Sequence, residues 1–163
     1  MIHHLADVHP TAVIHDTAKV WAFTVIGEGA IIGPNAVIGT HCYIGKGTMI
    51  CEGAHIQTGV FLPNNSIIED HVFIGPNVTF TDDRYPRSGN ANYIAEPPIV
   101  RMGASIGAGA TILPGVEIGA SAMIGAGAVV AKNVSLGDTV IGARAKAKNG
   151  TAEWTPDYQP ARA

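Results

Sequence analysis

Two adjacent aspartates and two arginines stand close together in the chain, from Asp82 to Arg87. A carboxylate such as that of Asp82 can hold an ammonium group or accept a proton from it. Arg84 and Arg87 could bind a pyrophosphate through paired hydrogen bonds. They could equally pair with Asp82, Asp83 or Glu96 on the same segment. We therefore predict Asp82 as a general base, and Asp83, Arg84 and Arg87 as substrate contacts.

Tyr85 lies in the same segment and is a further candidate for substrate binding. His71, which stands a little earlier in the chain than Asp82, is a competing candidate for the base, because histidine is a common general base. The alternative for His71 is an exposed turn residue without a chemical role. Cys42 and Cys51 have no evident His–acid partners, so a cysteine nucleophile is not predicted.

An aliphatic residue recurs at every sixth position along most of the chain. From Val8 to Phe80 and from Val100 to Leu136 this column has 20 positions, of which 19 are Ile, Val or Leu. A small or β-branched residue follows four places later in nearly every repeat. A period of six fits neither a helix nor an alternating strand, but it fits a short strand followed by a tight corner. Three strands then form a coil of about 18 residues, with glycine supplying the corner dihedrals, and stacked coils form a parallel β-helix of about seven turns.

The segment 81–99 interrupts this repeat, because Phe80 and Val100 are much further apart in sequence than one period allows. A loop rich in polar side chains on a rigid scaffold is a candidate site, although it could also be a solubilising excursion. Residues 1–142 are predicted to form the β-helix with this loop, and residues 143–163 a terminal cap and tail.

Residues that are one coil apart should stack at one corner, in steps of about 4.8 Å. Lys46, Asn64 and Asp82 have this spacing. They predict a polar ladder beneath the loop, which could form the floor of a substrate site or remain a solvated corner.

The composition excludes several classes of partner. Ten basic and 13 acidic residues give a net charge of −3, without a basic run, so we expect no nucleic-acid or membrane-surface binding. The apolar stretches are far shorter than the roughly 20 residues that span a bilayer. The N-terminal residues lack the layout of a signal peptide, and two cysteines make no disulfide framework. We expect a cytoplasmic protein.

With its repeat and its loop, the chain resembles the hexapeptide-repeat acyltransferases, over residues 8–142. That resemblance implies a left-handed β-helix, although the general rule for parallel crossovers predicts the opposite hand. The segment from Phe80 to Arg87, followed by Glu96 and Pro97, is similar to the loop of nucleotide-sugar N-acetyltransferases. Those enzymes usually have asparagine where Asp82 stands.

The segment from Gly103 to Lys132 is similar to the part of the same family that binds acetyl-CoA. The resemblance implies that Gly103 contributes to this site and that Ala108 and Ala126 flank the pantetheine arm. It places Lys132 and Lys146 at the nucleotide end. Ala143 and Arg144 stand where the family usually has Asn-Pro.

The resemblance therefore implies an acetyl-CoA-dependent N-acetyltransferase that acts on a UDP- or dTDP-linked amino sugar, with sites between the chains of a homotrimer. The alternatives are acylation of another small amine or hydroxyl, a scaffold without catalysis, and a metal-dependent protein similar to the γ-carbonic anhydrases. The spacings between His41, His55 and His71 are not multiples of the coil length, so these side chains would not stack and no metal site is predicted.

Overall fold

The structure is a computed structural model that describes residues 1–142. Twenty strands of two residues each wind into three parallel sheets, which form the faces of a triangular prism. This is the parallel β-helix of about seven turns that the six-residue period predicts, with the left hand that the family resemblance implies. No helix that is long and apolar enough to cross a membrane occurs in the described part of the chain.

Each sheet takes every third strand along the chain. Sheet 1 contains β1 (Asp7–Val8), β4 (Val25–Ile26), β7 (Tyr43–Ile44), β10 (Phe61–Leu62), β13 (Thr79–Phe80), β16 (Thr111–Ile112) and β19 (Val129–Val130). Sheet 2 contains β2 (Val13–Ile14), β5 (Ile31–Ile32), β8 (Met49–Ile50), β11 (Ile67–Ile68), β14 (Ile99–Val100) and β17 (Glu117–Ile118). Sheet 3 contains β3 (Lys19–Val20), β6 (Val37–Ile38), β9 (His55–Ile56), β12 (Phe73–Ile74), β15 (Ser105–Ile106), β18 (Met123–Ile124) and β20 (Thr139–Val140).

Three corners connect the sheets. The first corner leads from sheet 1 to sheet 2 and includes residues 45–48, 63–66 and 113–116. The second corner leads from sheet 2 to sheet 3 and includes residues 51–54, 69–72 and 101–104. The third corner leads from sheet 3 to sheet 1 and includes residues 39–42, 107–110 and 125–128.

The second residue of each strand points into the prism and the first points outwards. The inward aliphatic column is almost completely buried from Val20 to Val130, and Phe80 fits the same column with no exposed surface. The small residues of the second column are buried at the corners. Where these are polar they are hydrogen-bonded: Thr24 donates to Gly39 O at 2.6 Å and Thr48 to Pro63 O at 3.0 Å. The coils thus share one continuous core, which no single coil could form.

Glycine occurs at the corners for two separate reasons. We expected corner glycines to supply unusual backbone dihedrals, and for Gly45 and Gly107, which directly follow an aliphatic position, this is wrong. At Gly45 and Gly107 the backbone of the next coil leaves no room for a side chain. A Cβ atom would lie 2.6 Å from Asn64 N at Gly45 and 2.5 Å from Ala126 N at Gly107. The left-handed conformation occurs two residues later, for example at Gly47 with φ 66°.

The last coil is two residues shorter than the others. Ile118 pairs with Val134, and Met123 pairs with Thr139, so each partner comes two positions earlier than the period requires. Val134 therefore takes the inward place and is 6% exposed, whereas Leu136, which the period assigned to the core, is 77% exposed. A strict count of six therefore assigns the wrong residue to the core, because this coil lacks two residues and every later position is shifted by two.

Candidate functional site

The loop leaves the prism at the first corner and returns to the same corner. Glu96 N donates to Asp82 O at 2.8 Å, and Gly115 N of the next coil donates to Glu96 O at 2.8 Å. Glu96 thus resumes the stacked position that Asp82 leaves. The loop is inserted between these two equivalent places, and strands β13 and β14 flank it at residues 80 and 99. The rigid coils below and above the loop hold its two ends together.

An ion pair closes the base of this loop. Arg84 Nε donates to Glu96 Oε1 at 2.8 Å and Arg84 Nη2 to Glu96 Oε2 at 2.6 Å. Arg84 Nη2 also donates to Pro114 O at 3.2 Å. The guanidinium of Arg84 lowers the pKa of Glu96 through these hydrogen bonds. Of the two alternatives for Arg84, the structure shows the pairing with Glu96, so its guanidinium is engaged within the loop.

A second contact joins the two sides of the loop. Tyr93 Oη donates to Asp82 Oδ2 at 2.7 Å, and this hydrogen bond raises the pKa of Tyr93 to about 12. Oδ1 of Asp82 accepts no hydrogen bond from residues 1–142. Sequence reasoning missed Tyr93, because it contacts Asp82 across a long stretch of irregular chain, whereas Glu96 was one of the three carboxylates that it offered as a partner for Arg84. The only signal for Tyr93 was a second tyrosine within the loop.

The residues at the tip of the loop are exposed to solvent. Asp83 Oδ1 accepts a hydrogen bond from Tyr85 N at 2.9 Å, so this aspartate stabilises a turn, and the Tyr85 side chain is 73% exposed. Arg87 donates to Pro86 O at 3.0 Å and forms no ion pair with the described residues. A small cavity of about 150 Å³ lies between Asp83 and Glu96. Of the two arginines, Arg87 therefore has the guanidinium that can bind an anion.

The predicted ladder lies at the first corner below the loop. Lys46 N donates to Asn64 Oδ1 at 2.9 Å across one coil, and the pairing of Phe61 with Thr79 places Asp82 in register above Asn64. Lys46 Nζ is paired with Glu28 Oε2 at 2.7 Å, which sequence reasoning did not anticipate. Lys46, Asn64 and Asp82 therefore share one corner, and the lysine charge is partly neutralised there.

His71 lies at the second corner, across sheet 2 from the loop. It is exposed, has a left-handed φ of 55°, and donates its backbone N–H to Glu52 O at 2.8 Å. A single prism therefore places Asp82 and His71 at opposite edges of one face and does not bring them together.

The predicted acetyl-CoA residues are divided among the corners. Ala108 and Ala126 stack at the third corner, where Gly127 N donates to Ala108 O at 2.8 Å. Gly103 lies at the second corner and Lys132 at the first. Lys146 and the predicted cap at 143–163 lie outside the described residues.

A charged network borders a groove of about 610 Å³ on sheet 2 and the second corner. Arg101 Nη1 donates to Glu69 Oε1 at 2.7 Å and Arg101 Nε to Glu117 Oε1 at 2.7 Å. Glu69 Oε2 accepts a hydrogen bond from Met102 N at 2.9 Å. The hydrogen bond from Arg101 lowers the pKa of Glu69. The network connects three successive coils, and no pattern in the sequence indicated it.

Within residues 1–142, no group of three His, Cys, Asp or Glu side chains could hold a metal ion. His4 and His9 are only five residues apart in sequence, but they belong to different corners of the first coil. His9 Nδ1 is engaged with Thr11 Oγ1 at 2.9 Å. The described part of the chain therefore offers no metal centre of its own.

The sequence matches the family model described as bacterial transferase hexapeptide (six repeats) over residues 11–46, 23–57 and 97–132, just over half of the chain. No curated protein sequence matches the chain.

Three solved structures have a similar fold. Perosamine N-acetyltransferase from Caulobacter crescentus, solved as a mutant with CoA and GDP-perosamine, is 25% identical with a TM-score of 0.54, over 86% of this chain and 52% of that one. The acetyltransferase domain of PglB from Neisseria gonorrhoeae, solved with acetyl coenzyme A, is 22% identical with a TM-score of 0.53, over 86% and 53%. A hexapeptide transferase family protein from Anaplasma phagocytophilum is 19% identical with a TM-score of 0.63, over 88% and 81%.

The chain spans about half the length of the first two of these structures. All three matched ranges lie within the prism and its six-residue repeat. The chain belongs to the bacterial transferase hexapeptide family.

Proposed function

We propose that this chain transfers the acetyl group of acetyl-CoA to the amino group of a nucleotide-linked amino sugar. The observation that carries the proposal is the loop at the first corner. It holds the Asp82 carboxylate with one oxygen free of hydrogen bonds from the described residues, and it presents the Arg87 guanidinium at its tip. These groups suit an ammonium group and a phosphate, respectively. Perosamine N-acetyltransferase, solved with CoA and GDP-perosamine, supports this choice.

The proposed chemistry removes two protons from the substrate nitrogen and transfers one acyl group. Asp82 accepts the first proton from the substrate ammonium and releases it to solvent, and the free amine attacks the thioester carbonyl carbon of acetyl-CoA. When the tetrahedral intermediate collapses and the carbon–sulfur bond breaks, Asp82 takes the second proton from the nitrogen and passes it to the CoA thiolate. The products are the acetamido sugar and CoA.

We also propose that the protein works in the cytoplasm. Cys42 and Cys51 are free thiols, which suits a reducing compartment.

We further propose that the site is completed between the chains of a homotrimer. A flat face of the prism cannot enclose two substrates. Sheet 2 displays aliphatic side chains outwards on five successive coils, whereas polar or charged residues interrupt the outer rows of sheets 1 and 3. This row, which we call the aliphatic stripe, consists of Val13, Ile31, Met49, Ile67 and Ile99. Exposed apolar rows of this kind favour association.

Three-fold packing through sheet 2 would bring the first corner of one chain next to the second corner of its neighbour. Asp82, Arg87 and Lys132 would then face the His71 and Gly103 of another chain. Packing through sheet 1 would instead bring the loop towards Ala108 and Ala126. The aliphatic stripe favours the arrangement through sheet 2, and in that arrangement His71 could assist Asp82.

Two measurements test these proposals. Acetyl-CoA and a panel of UDP- and dTDP-linked amino sugars should raise the melting temperature, by an amount that corresponds to about 2.7 kcal/mol at a ligand concentration 100 times Kd. Mass spectrometry should then detect the acetylated sugar. If acetyl-CoA stabilises the protein but only other amines are acetylated, the proposed substrate class is wrong. If neither ligand stabilises the protein, the proposed function is wrong.

For the assembly, Ile31→Glu should convert the trimer to monomers in light scattering, because a charge would be buried in an apolar interface. Val25→Glu, which introduces the same charge on sheet 1, is the matched control and should leave the trimer intact. The opposite result would assign the interface to sheet 1.

A further inference from the structure

Tyr93 is the least explained polar residue of the loop. The proposed function assigns it no contact with either substrate, yet its hydroxyl reaches across the loop to Asp82 Oδ2 at 2.7 Å. The exposed loop could have left this hydroxyl in water at little cost. A directed contact to the one carboxylate with proposed chemistry indicates a role in the reaction.

We propose that Tyr93 is a positioning residue, which fixes the orientation of the Asp82 carboxylate so that Oδ1 is presented to the substrate amine. The proposal rests on the proposed function and deepens it. An aspartate side chain at the start of a loop can rotate about two bonds, and each misplaced rotamer removes the base from reach of the ammonium proton. A single hydrogen bond to Oδ2 is sufficient to select one orientation, because the backbone of Asp82 is itself held by Glu96 N.

The loop architecture supports this role. The paired contacts of Arg84 with Glu96 close the loop, so Tyr93 is not needed for closure. The hydroxyl of Tyr93 is also a permanent donor, because the hydrogen bond to Asp82 raises the pKa of Tyr93 to about 12. It therefore cannot replace Asp82 as a base near neutral pH. When Asp82 takes the substrate proton on Oδ1 and passes it to the CoA thiolate, Tyr93 keeps its own proton throughout.

A double-mutant cycle separates positioning from a structural role. Tyr93→Phe should lower kcat by about tenfold, a fraction of the roughly 10²–10⁴ that general acid–base catalysis contributes. The KM for acetyl-CoA should not change. In the background of Asp82→Ala, the additional change Tyr93→Phe should have no further effect on kcat, because no carboxylate remains to be positioned. Tyr43→Phe on sheet 1 removes a hydroxyl outside the loop and is the matched control. Additive losses in the double variant would overturn the proposal.

A second readout does not depend on activity. Tyrosine labelled with ¹³C at Cζ allows each of the four tyrosines to be titrated by NMR, and the Tyr93→Phe variant identifies the Tyr93 signal. Tyr93 should titrate near pH 12 in the wild type and return towards about 10 in Asp82→Ala. If the wild type is inactive but Tyr93 behaves in this way, the proposed function fails while the contact stands. If the enzyme is active and Tyr93 titrates with the other tyrosines, the positioning role is wrong.

Discussion

The Arg84 guanidinium and the Glu96 carboxylate are joined by two hydrogen bonds, with Nε–Oε1 and Nη2–Oε2 distances of 2.8 and 2.6 Å. Ion pairs with two such hydrogen bonds are among the stronger ones in proteins, because both hydrogen bonds are charge-assisted. It holds the loop against the corner of the next coil, where a Cβ atom on Gly115 would lie 2.8 Å from Glu96 Oε2. The pair therefore holds the base of the loop closed, and we call it the clasp.

Breaking this clasp should make the loop easier to open. We expect Glu96→Gln to accelerate tryptic cleavage after Arg84 and Arg87, because local opening exposes the backbone to the protease. Mass spectrometry of a digestion time course measures the rate at each site. Glu28→Gln breaks the exposed pair with Lys46 at the same corner and should leave both rates unchanged. Equal acceleration in the two variants would indicate a general loss of stability instead.

The two arginines should differ in their kinetic effects. Arg87→Ala should raise the KM for the nucleotide sugar by about tenfold to a hundredfold, the cost of a lost hydrogen bond between charged groups, with little change in the KM for acetyl-CoA. Arg84→Ala should match Glu96→Gln in steady-state kinetics, because both break the clasp. A larger effect of Arg84→Ala than of Glu96→Gln on the nucleotide sugar would show that Arg84 also binds the substrate. A main effect of Arg87→Ala on acetyl-CoA would reverse the assignment of the two ligands.

Asp82 should be needed for the chemical step. Asp82→Asn retains the shape of the side chain but cannot accept a proton near neutral pH. We expect kcat to fall by about tenfold to a hundredfold, with KM little changed. This loss lies at or below the lower end of the roughly 10²–10⁴ that a general base contributes. His71→Gln, at the second corner, tests the competing base in the same assay. A fully active Asp82→Asn enzyme would leave this residue as an orienting group.

The shortened last coil predicts a contrast between two neighbouring residues. Val134→Ala should lower the free energy of unfolding by about 1–3 kcal/mol, because it removes buried methyl groups from the core. Leu136→Ala, although it removes more atoms, should change stability by less than about 0.5 kcal/mol because Leu136 is largely exposed. Urea unfolding of both variants measures the difference. The reverse order would restore the uninterrupted six-residue period.

Stability should depend on the Arg101 network in a defined range of pH. The folded-state pKa of Glu69 lies below its ordinary value of 4.5, chiefly through its hydrogen bond with Arg101. The stabilisation is therefore present above about pH 4.5 and is lost as the pH falls through the lower, folded-state value. Glu69→Gln should thus be less stable than the wild type at pH 7, and the two should converge in strongly acidic urea titrations. A constant difference across this range would assign the effect of the substitution to packing.

Much of this architecture follows from local rules that the sequence states directly. One residue in six must enter the core and a small residue must occupy each corner, so the period by itself determines the inward column, the length of the coil and the stacking of Lys46 on Asn64. The interruption of the repeat between Phe80 and Val100 follows from the same count. Such features depend on neighbours at a constant spacing along the chain, which is why they can be read without coordinates.

Contacts across irregular chain were decided by the tertiary structure. Arg84 had three possible carboxylate partners within the loop, and the selection of Glu96 depends on the backbone bonds that return residue 96 to the corner left by Asp82. The contact of Tyr93 with Asp82 and the inward turn of Val134 in place of Leu136 have the same origin. In each case the spacing in sequence is not a multiple of the coil, and the partner is determined by where the folded chain brings two segments together.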